Sequence, residues 1–223
     1  MRVTLGEEIM LLALDDTSGA AHERAAAGWA VAAGTLLELT LAGRLSVAGD
    51  RLDVLGTAPT GTHLLDGRLR LVHDWAERRR RPAAGDWLAR DRAAAPGATA
   101  DSLRARGLVV EVGPRALGLF PVRRGPGADG QAEREPRARL AGVVLAGAAP
   151  DPRTGVLIWL LHTARLHRLA FPDLDRGQVE PRMAELSEAH WATPALRTTL
   201  RTLHPRPGAH PPPWGEPSTL AGV

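Results

Sequence analysis

Apolar positions recur along this chain at helical spacing almost from its start. Ile9, Leu11, Leu12 and Leu14 follow Thr4 and Glu7, whose separation is that of a capping box, so the pattern predicts a first helix over residues 6–14. The run DDTSG ends it. Residues 25–45, AAAGWAVAAGTLLELTLAGRL, are apolar or small almost throughout. A helix apolar nearly all round is normally the buried centre of a helical domain, and its small residues (Ala26, Ala27, Gly28, Ala30, Ala32, Ala33, Gly34) let neighbouring backbones approach closely. Glu38 is the exception. A carboxylate on a buried helix needs a partner, and Arg44 and Arg68 are the expected ones.

The pattern then switches period. LSVAGDRLDVL alternates about Gly49 and Asp50 and predicts a hairpin, after which Leu64, Leu65, Leu69, Val72 and Trp75 mark an amphipathic helix. A short helix is expected around GDWLARD and another from Thr99. A second hairpin over residues 108–122 should turn at Gly113 and Pro114, with Val110, Val112, Leu117 and Leu119 alternating. Helices follow over residues 133–146, 153–169, 174–186 and 194–203. The expected fold is mainly α: one globular helical-bundle domain over residues 1–203 with two inserted β-hairpins, and a proline-rich, disordered tail over residues 204–223.

The uncharged part of the central stretch, from Ala25 to Leu37, falls short of the roughly 20 residues that span a bilayer. Acids flank the first apolar run on both sides, unlike a secretory leader, so a cytoplasmic protein is expected. The absence of cysteine removes disulfides, zinc–thiolate centres and thiol nucleophiles. Lys, Tyr and Asn are also missing, a bias of the kind GC-rich bacterial genomes produce. With 28 basic residues, all Arg, against 25 acids, the net charge of +3 does not point to a nucleic-acid partner.

One basic run stands out. ERRRRP, with Arg78 to Arg81, either closes a solvated helix C-terminus in keeping with the helix dipole or meets an anionic membrane or phosphate. GPGADG at residues 125–130 fits a dinucleotide-binding spacing, but Pro126 lacks the N–H a phosphate would use and the preceding strand belongs to a hairpin, so it reads as a loop. His162 and His167, five apart on one expected helix, should face different sides, and no HExxH pattern or neighbouring acid completes a metal site. No nucleophile elbow is present, and no cofactor, metal or enzymatic activity is expected.

Five segments taken together carry a resemblance. LGEEIMLLALDDTSG, LLELTLAGRLSV, TAPTGTHLLDGRL, LRARGLVVEV and DPRTGVLIWLLHTARLHRLAF, in this order and at these separations, resemble the Golgi phosphoprotein 3 family, in a bacterial, actinobacterial-type form, from residue 3 to residue 203. The resemblance implies a helical domain with a protruding hairpin. It also implies, from the eukaryotic members, a shallow basic pocket for phosphatidylinositol 4-phosphate built from a tryptophan before the central helix, an arginine within it and two arginines before the second hairpin. Here the tryptophan position falls near Glu23 or Arg24 and the helix arginine near Ala32; Trp29 lies five or six residues on, and Arg90 and Arg92 are the nearest counterparts of the last pair.

The expected function is therefore that of a phosphoinositide-like or anionic phospholipid-binding peripheral membrane adaptor, peripheral on the inner membrane face, with Arg24, Trp29, Arg90 and Arg92 at the headgroup. Arg24, Arg90 and Arg92 should share a basic surface, and Trp29 or Trp87 should dip into the interface. The alternative is a soluble cytosolic protein-interaction module of the same fold without the lipid pocket. The second hairpin either joins copies of the chain or folds flat on its own domain.

Overall fold

Thr4 opens the chain's first helix by the expected exchange: its hydroxyl accepts from Glu7 N at 3.2 Å and its own N–H donates to Glu7 Oε2 at 2.6 Å. In the computed structural model, which describes residues 3–14, 21–111, 122–125, 130–190, 192 and 194–203, this helix is α1, Leu5–Leu12, and every residue in it is buried. It crosses α2, Ala21–Leu41, at two glycines. A Cβ on Gly34 would lie 3.4 Å from Gly6 N and from Leu5 Cβ, so side chains there would hold the helices apart. Residues 26–37 and Leu39 of α2 are buried, as the central stretch requires. The helix stops at Gly43, whose φ of +66° allows Arg44 N to donate back to Leu39 O at 2.9 Å.

The first hairpin forms as expected, β1 (Leu45–Ala48) antiparallel to β2 (Arg51–Val54), with Leu45 opposite Val54. Gly49 and Asp50 both have positive φ, +53° and +79°, the geometry of a two-residue turn that matches strand twist. Leu45, Val47 and Leu52 face inward, and Leu52 N and Asp50 O bond to Pro82 O and Ala84 N, covering the outer edge of β2.

Three helices follow: α3 (His63–Glu77), α4 (Ala84–Asp91) and α5 (Ala95–Ala105). The last begins four residues before the expected Thr99. Pro96 falls in its first turn, where a missing N–H costs no intrahelical bond, so the Pro-Gly pair starts this helix instead of delaying it. The second hairpin pairs β3 (Val109–Glu111) with β4 (Val122–Arg124), Glu111 facing Val122. The expected turn at Gly113 and Pro114 falls outside the described residues. Residues 112–121, and with them Val112, Leu117 and Leu119, lie outside the described residues, as do residues 126–129 of the glycine-rich segment and the tail over residues 204–223.

The C-terminal half comprises α6 (Gln131–Val144), α7 (Pro152–Thr163), α8 (His167–Ala170), α9 (Arg176–Ser187) and α10 (Pro194–Leu203). The single helix expected over residues 153–169 is broken. Arg165 takes φ +57°, Leu166 N donates to Leu161 O at 2.7 Å and Arg165 N to His162 O at 3.0 Å. This is a glycine-type stop made without glycine, which the sequence does not announce. Helix α2 touches α1, α3, α4, α5, α7 and α10, and Trp29 of α2 packs on Trp159 of α7 with ring centroids 6.1 Å apart. The architecture is the mainly helical bundle with two inserted hairpins that the pattern implied.

Candidate functional site

Arginines gather in two places, and their partners differ. The first lies around α1, where Glu7 and Glu8 are fully buried. Glu7 accepts from Ser102 Oγ at 2.8 Å and from Arg106 Nη1 at 3.0 Å, both on the α5 side. Glu8 accepts from Arg139 Nη2 of α6 at 2.8 Å and from Arg153 Nε of α7 at 3.0 Å. Arg153 also reaches Glu38 at 2.5 Å and Val3 O, and Glu38 takes the Leu5 N–H at 2.6 Å. The expectation that Glu38 is paired holds, but its partner is Arg153. Arg44 is drawn instead to Ala58 O and Pro59 O, and Arg68 to Asp91. Burial raises the pKa of Glu8, which Arg153 and Arg139 only partly offset. Burial also opposes the charge on Arg153, but Glu38 and Glu8 outweigh it and its pKa stands above the ordinary value.

The second gathering is open to solvent. Arg68, Leu71 and Trp75 recur on one face of α3, with Arg78 and Arg79 just past its end, and Trp87, Arg90 and Asp91 lie on the facing side of α4, with Ala94 just beyond it; with Asp74 they line a groove of about 640 Å³. That volume lies in the roughly 300–1,000 Å³ range of small-molecule sites. Trp75 and Trp87 meet edge to face with centroids 5.4 Å apart and form the inner wall. Behind them the buried Arg68 pairs with Asp91, its carbon centre 6.0 Å from the Trp87 ring. Burial lowers the Arg68 pKa, though a guanidinium stays charged. Arg79 lies 4.3 Å over the Trp75 ring and donates to Trp75 O at 3.1 Å, which fixes its position. Arg78, Arg79 and Arg90 are exposed, and among the described residues no carboxylate forms an ion pair with any of them.

Arg90 alone of the expected site residues lines this groove. Arg92 is exposed just past the end of α4. Its carbonyl abuts α2 at Gly28, where a Cβ would come within 2.6 Å of the oxygen, and Arg24 lies one turn before Gly28 on the same helix face. Arg24 and Arg92 are thus brought to one crossing, beside the groove. Trp29 is not: it is buried against Trp159. Trp87 is equally buried, so the expectation that either indole reaches outward is corrected. Both rings are consumed by aromatic pairs inside the bundle.

The residues missed were Arg68, Leu71, Trp75, Arg79 and Asp91. Their signal was the spacing 68, 71, 75 on α3 and 78 at its end, set beside 87, 90, 91 on α4 and 94 beyond it, and it becomes visible only when the helices are placed side by side.

The histidines also moved together. Because the chain breaks at Arg165, His162 Nδ1 comes to 3.2 Å from His167 Nε2, with the rings nearly perpendicular. Burial, then the neighbouring His162 and Arg176, lowers the His167 pKa to about 4. Among the described residues no group of three or more metal-ligating side chains occurs, and no helix is long and apolar enough to cross a membrane.

A mainly helical bundle with two inserted hairpins and a basic groove beside its central helix defines the class. A family model described as Golgi phosphoprotein 3 (GPP34) matches residues 5–203, and the chain belongs to that family. No curated protein matches it significantly.

Proposed function

We propose that the protein is a peripheral membrane adaptor that docks on anionic phospholipid and takes a phosphoinositide-like headgroup, such as that of phosphatidylinositol 4-phosphate, at the groove between α3 and α4. The observation that carries this reading is where the charge lies. Residues 66–92 contain eight arginines and five acids, a surplus equal to the +3 of the entire chain. Four of those arginines line the open groove; Arg68 is paired with Asp91, and the other three, Arg78, Arg79 and Arg90, are exposed. A basic side chain near an anionic leaflet contributes about 1 kcal/mol, so three of them give about 3 kcal/mol, on the order of a hundredfold in partition. Membership of the family supports the same reading.

Vesicle flotation tests it. Phosphatidylcholine vesicles carrying an anionic phospholipid should float the protein at low salt and release it at high salt, and uncharged vesicles should not bind it. No binding to anionic vesicles at low salt overturns the reading.

A second reading, a soluble interaction module of the same fold, is favoured by Trp29 and Ala32. Ala32 is a buried methyl where the family resemblance would put the helix arginine, and Trp29, the tryptophan nearest the resemblance's indole position, is buried against Trp159. A protein partner retained at full strength by lipid-stripped protein, with vesicles ignored, would decide for it.

A further inference from the structure

We infer that the mouth of the α3–α4 groove is the face that meets the bilayer, and that Leu71 enters the bilayer's interfacial layer. This rests on the membrane reading above and specifies its orientation.

Leu64, Arg68, Leu71 and Trp75 succeed one another at spacings of four, three and four, the inward stripe of α3. Leu64, Arg68 and Trp75 are buried, yet Leu71 is 51 % exposed. It belongs to the stripe that packs, and it stays half exposed where it lines the open groove. Its neighbours on the lining are Arg78 and Arg79 two turns on and Arg90 across the gap. Asp91 is engaged by Arg68, which leaves Asp74 as the one carboxylate on the lining against three exposed guanidiniums.

An apolar side chain encircled by exposed cations suits one kind of surface, a layer of anionic headgroups above hydrocarbon. The leucine removes apolar area from water while the arginines remain at phosphate level, their stems able to lie along the interface. Among the described residues three other large hydrophobic side chains are comparably exposed, Leu41, Leu55 and Leu145, and none lines the groove. They serve as internal controls.

Because the chain has no cysteine, Leu71→Cys and Leu145→Cys each create a single site for an environment-sensitive dye. Both positions are more than half exposed, so labelling should leave the fold intact. With vesicles of phosphatidylcholine and phosphatidylglycerol, the dye at position 71 should shift to the blue and the dye at 145 should not. Leu71→Ser should weaken vesicle partition by about three- to tenfold, and Leu145→Ser should leave it unchanged.

Sedimentation of the same samples separates the possible failures. If the protein pellets with vesicles but the position 71 dye stays unshifted, or the 145 dye shifts equally, the orientation is wrong and the membrane reading survives. If the protein does not pellet with them, both fall.

Discussion

Two arginine-rich regions of one small protein are built on opposite plans. Around α1, the arginines Arg106, Arg139 and Arg153 enter the bundle to meet Glu7, Glu8 and Glu38. Along α3 and α4, Arg78, Arg79 and Arg90 stay outside and only Arg68, beneath them, has a carboxylate. The residue type is the same in both, and what separates a structural arginine from a ligand-facing one is whether burial has already assigned it an acid. A buried pair is worth little against an apolar replacement, but removing one member is severe, because the remaining charge is left in a medium that cannot solvate it. An exposed arginine adds little to stability and remains available to a ligand.

Arg153→Ala is the substitution with the largest expected effect. It leaves Glu8 and Glu38 without their shared cation and should lower unfolding stability by about 3–5 kcal/mol in urea titration. The histidine contact sharpens the comparison, since its buried member, His167, prefers to be uncharged. His167 has a folded pKa of about 4, below its ordinary 6.5, so the folded state resists a proton that the unfolded chain accepts.

Stability from this group is therefore present above pH 6.5 and lost as the pH falls toward 4, by about 3 kcal/mol. Glu8, with its pKa raised, acts in the opposite sense: its protonation on acidification relieves an unfavourable buried charge. Comparing wild type with His167→Leu removes that contribution. The wild type should lose the 3 kcal/mol relative to the variant, and parallel pH profiles would contradict the assignment.

The smallest effect on stability is expected at the groove. Arg78→Ala and Arg90→Ala should each change unfolding stability by less than about 0.5 kcal/mol while weakening anionic-vesicle binding about fivefold. An Arg90→Ala variant as unstable as Arg153→Ala would abolish the distinction between the two regions.

Much of the architecture was legible because local chemistry and global packing agree. The Thr4–Glu7 cap, the turn at Gly49 and Asp50 and the buried course of α2 each follow from a short segment. What escaped was non-local or conformationally unmarked. Nothing in the residues around Arg165 signals a left-handed stop, so α7 and α8 read as one helix and the two histidines as strangers. The partner of Glu38 lies 115 positions away, beyond the reach of spacing arguments, and nearer arginines seemed the better candidates. The candidate site suffered in the same way: Arg90 lines the groove, but Arg68, Leu71 and Trp75 opposite it sit on a different helix at a register no single segment encodes.

The carboxylates of α1 also bear on the order in which the chain can fold. Glu7 needs groups 95 and 99 residues downstream, and Glu8 needs groups 131 and 145 residues downstream. During synthesis α1 therefore leaves the ribosome long before the guanidiniums that will neutralise it. An early-made helix of this kind, apolar enough to collapse yet carrying two acids with no guanidinium to neutralise them, cannot be interred until α7 exists. Vectorial emergence thus makes the first segment of the bundle among the last to lock, and places its hydrophobic surface in the care of whatever shields nascent chains during the interval.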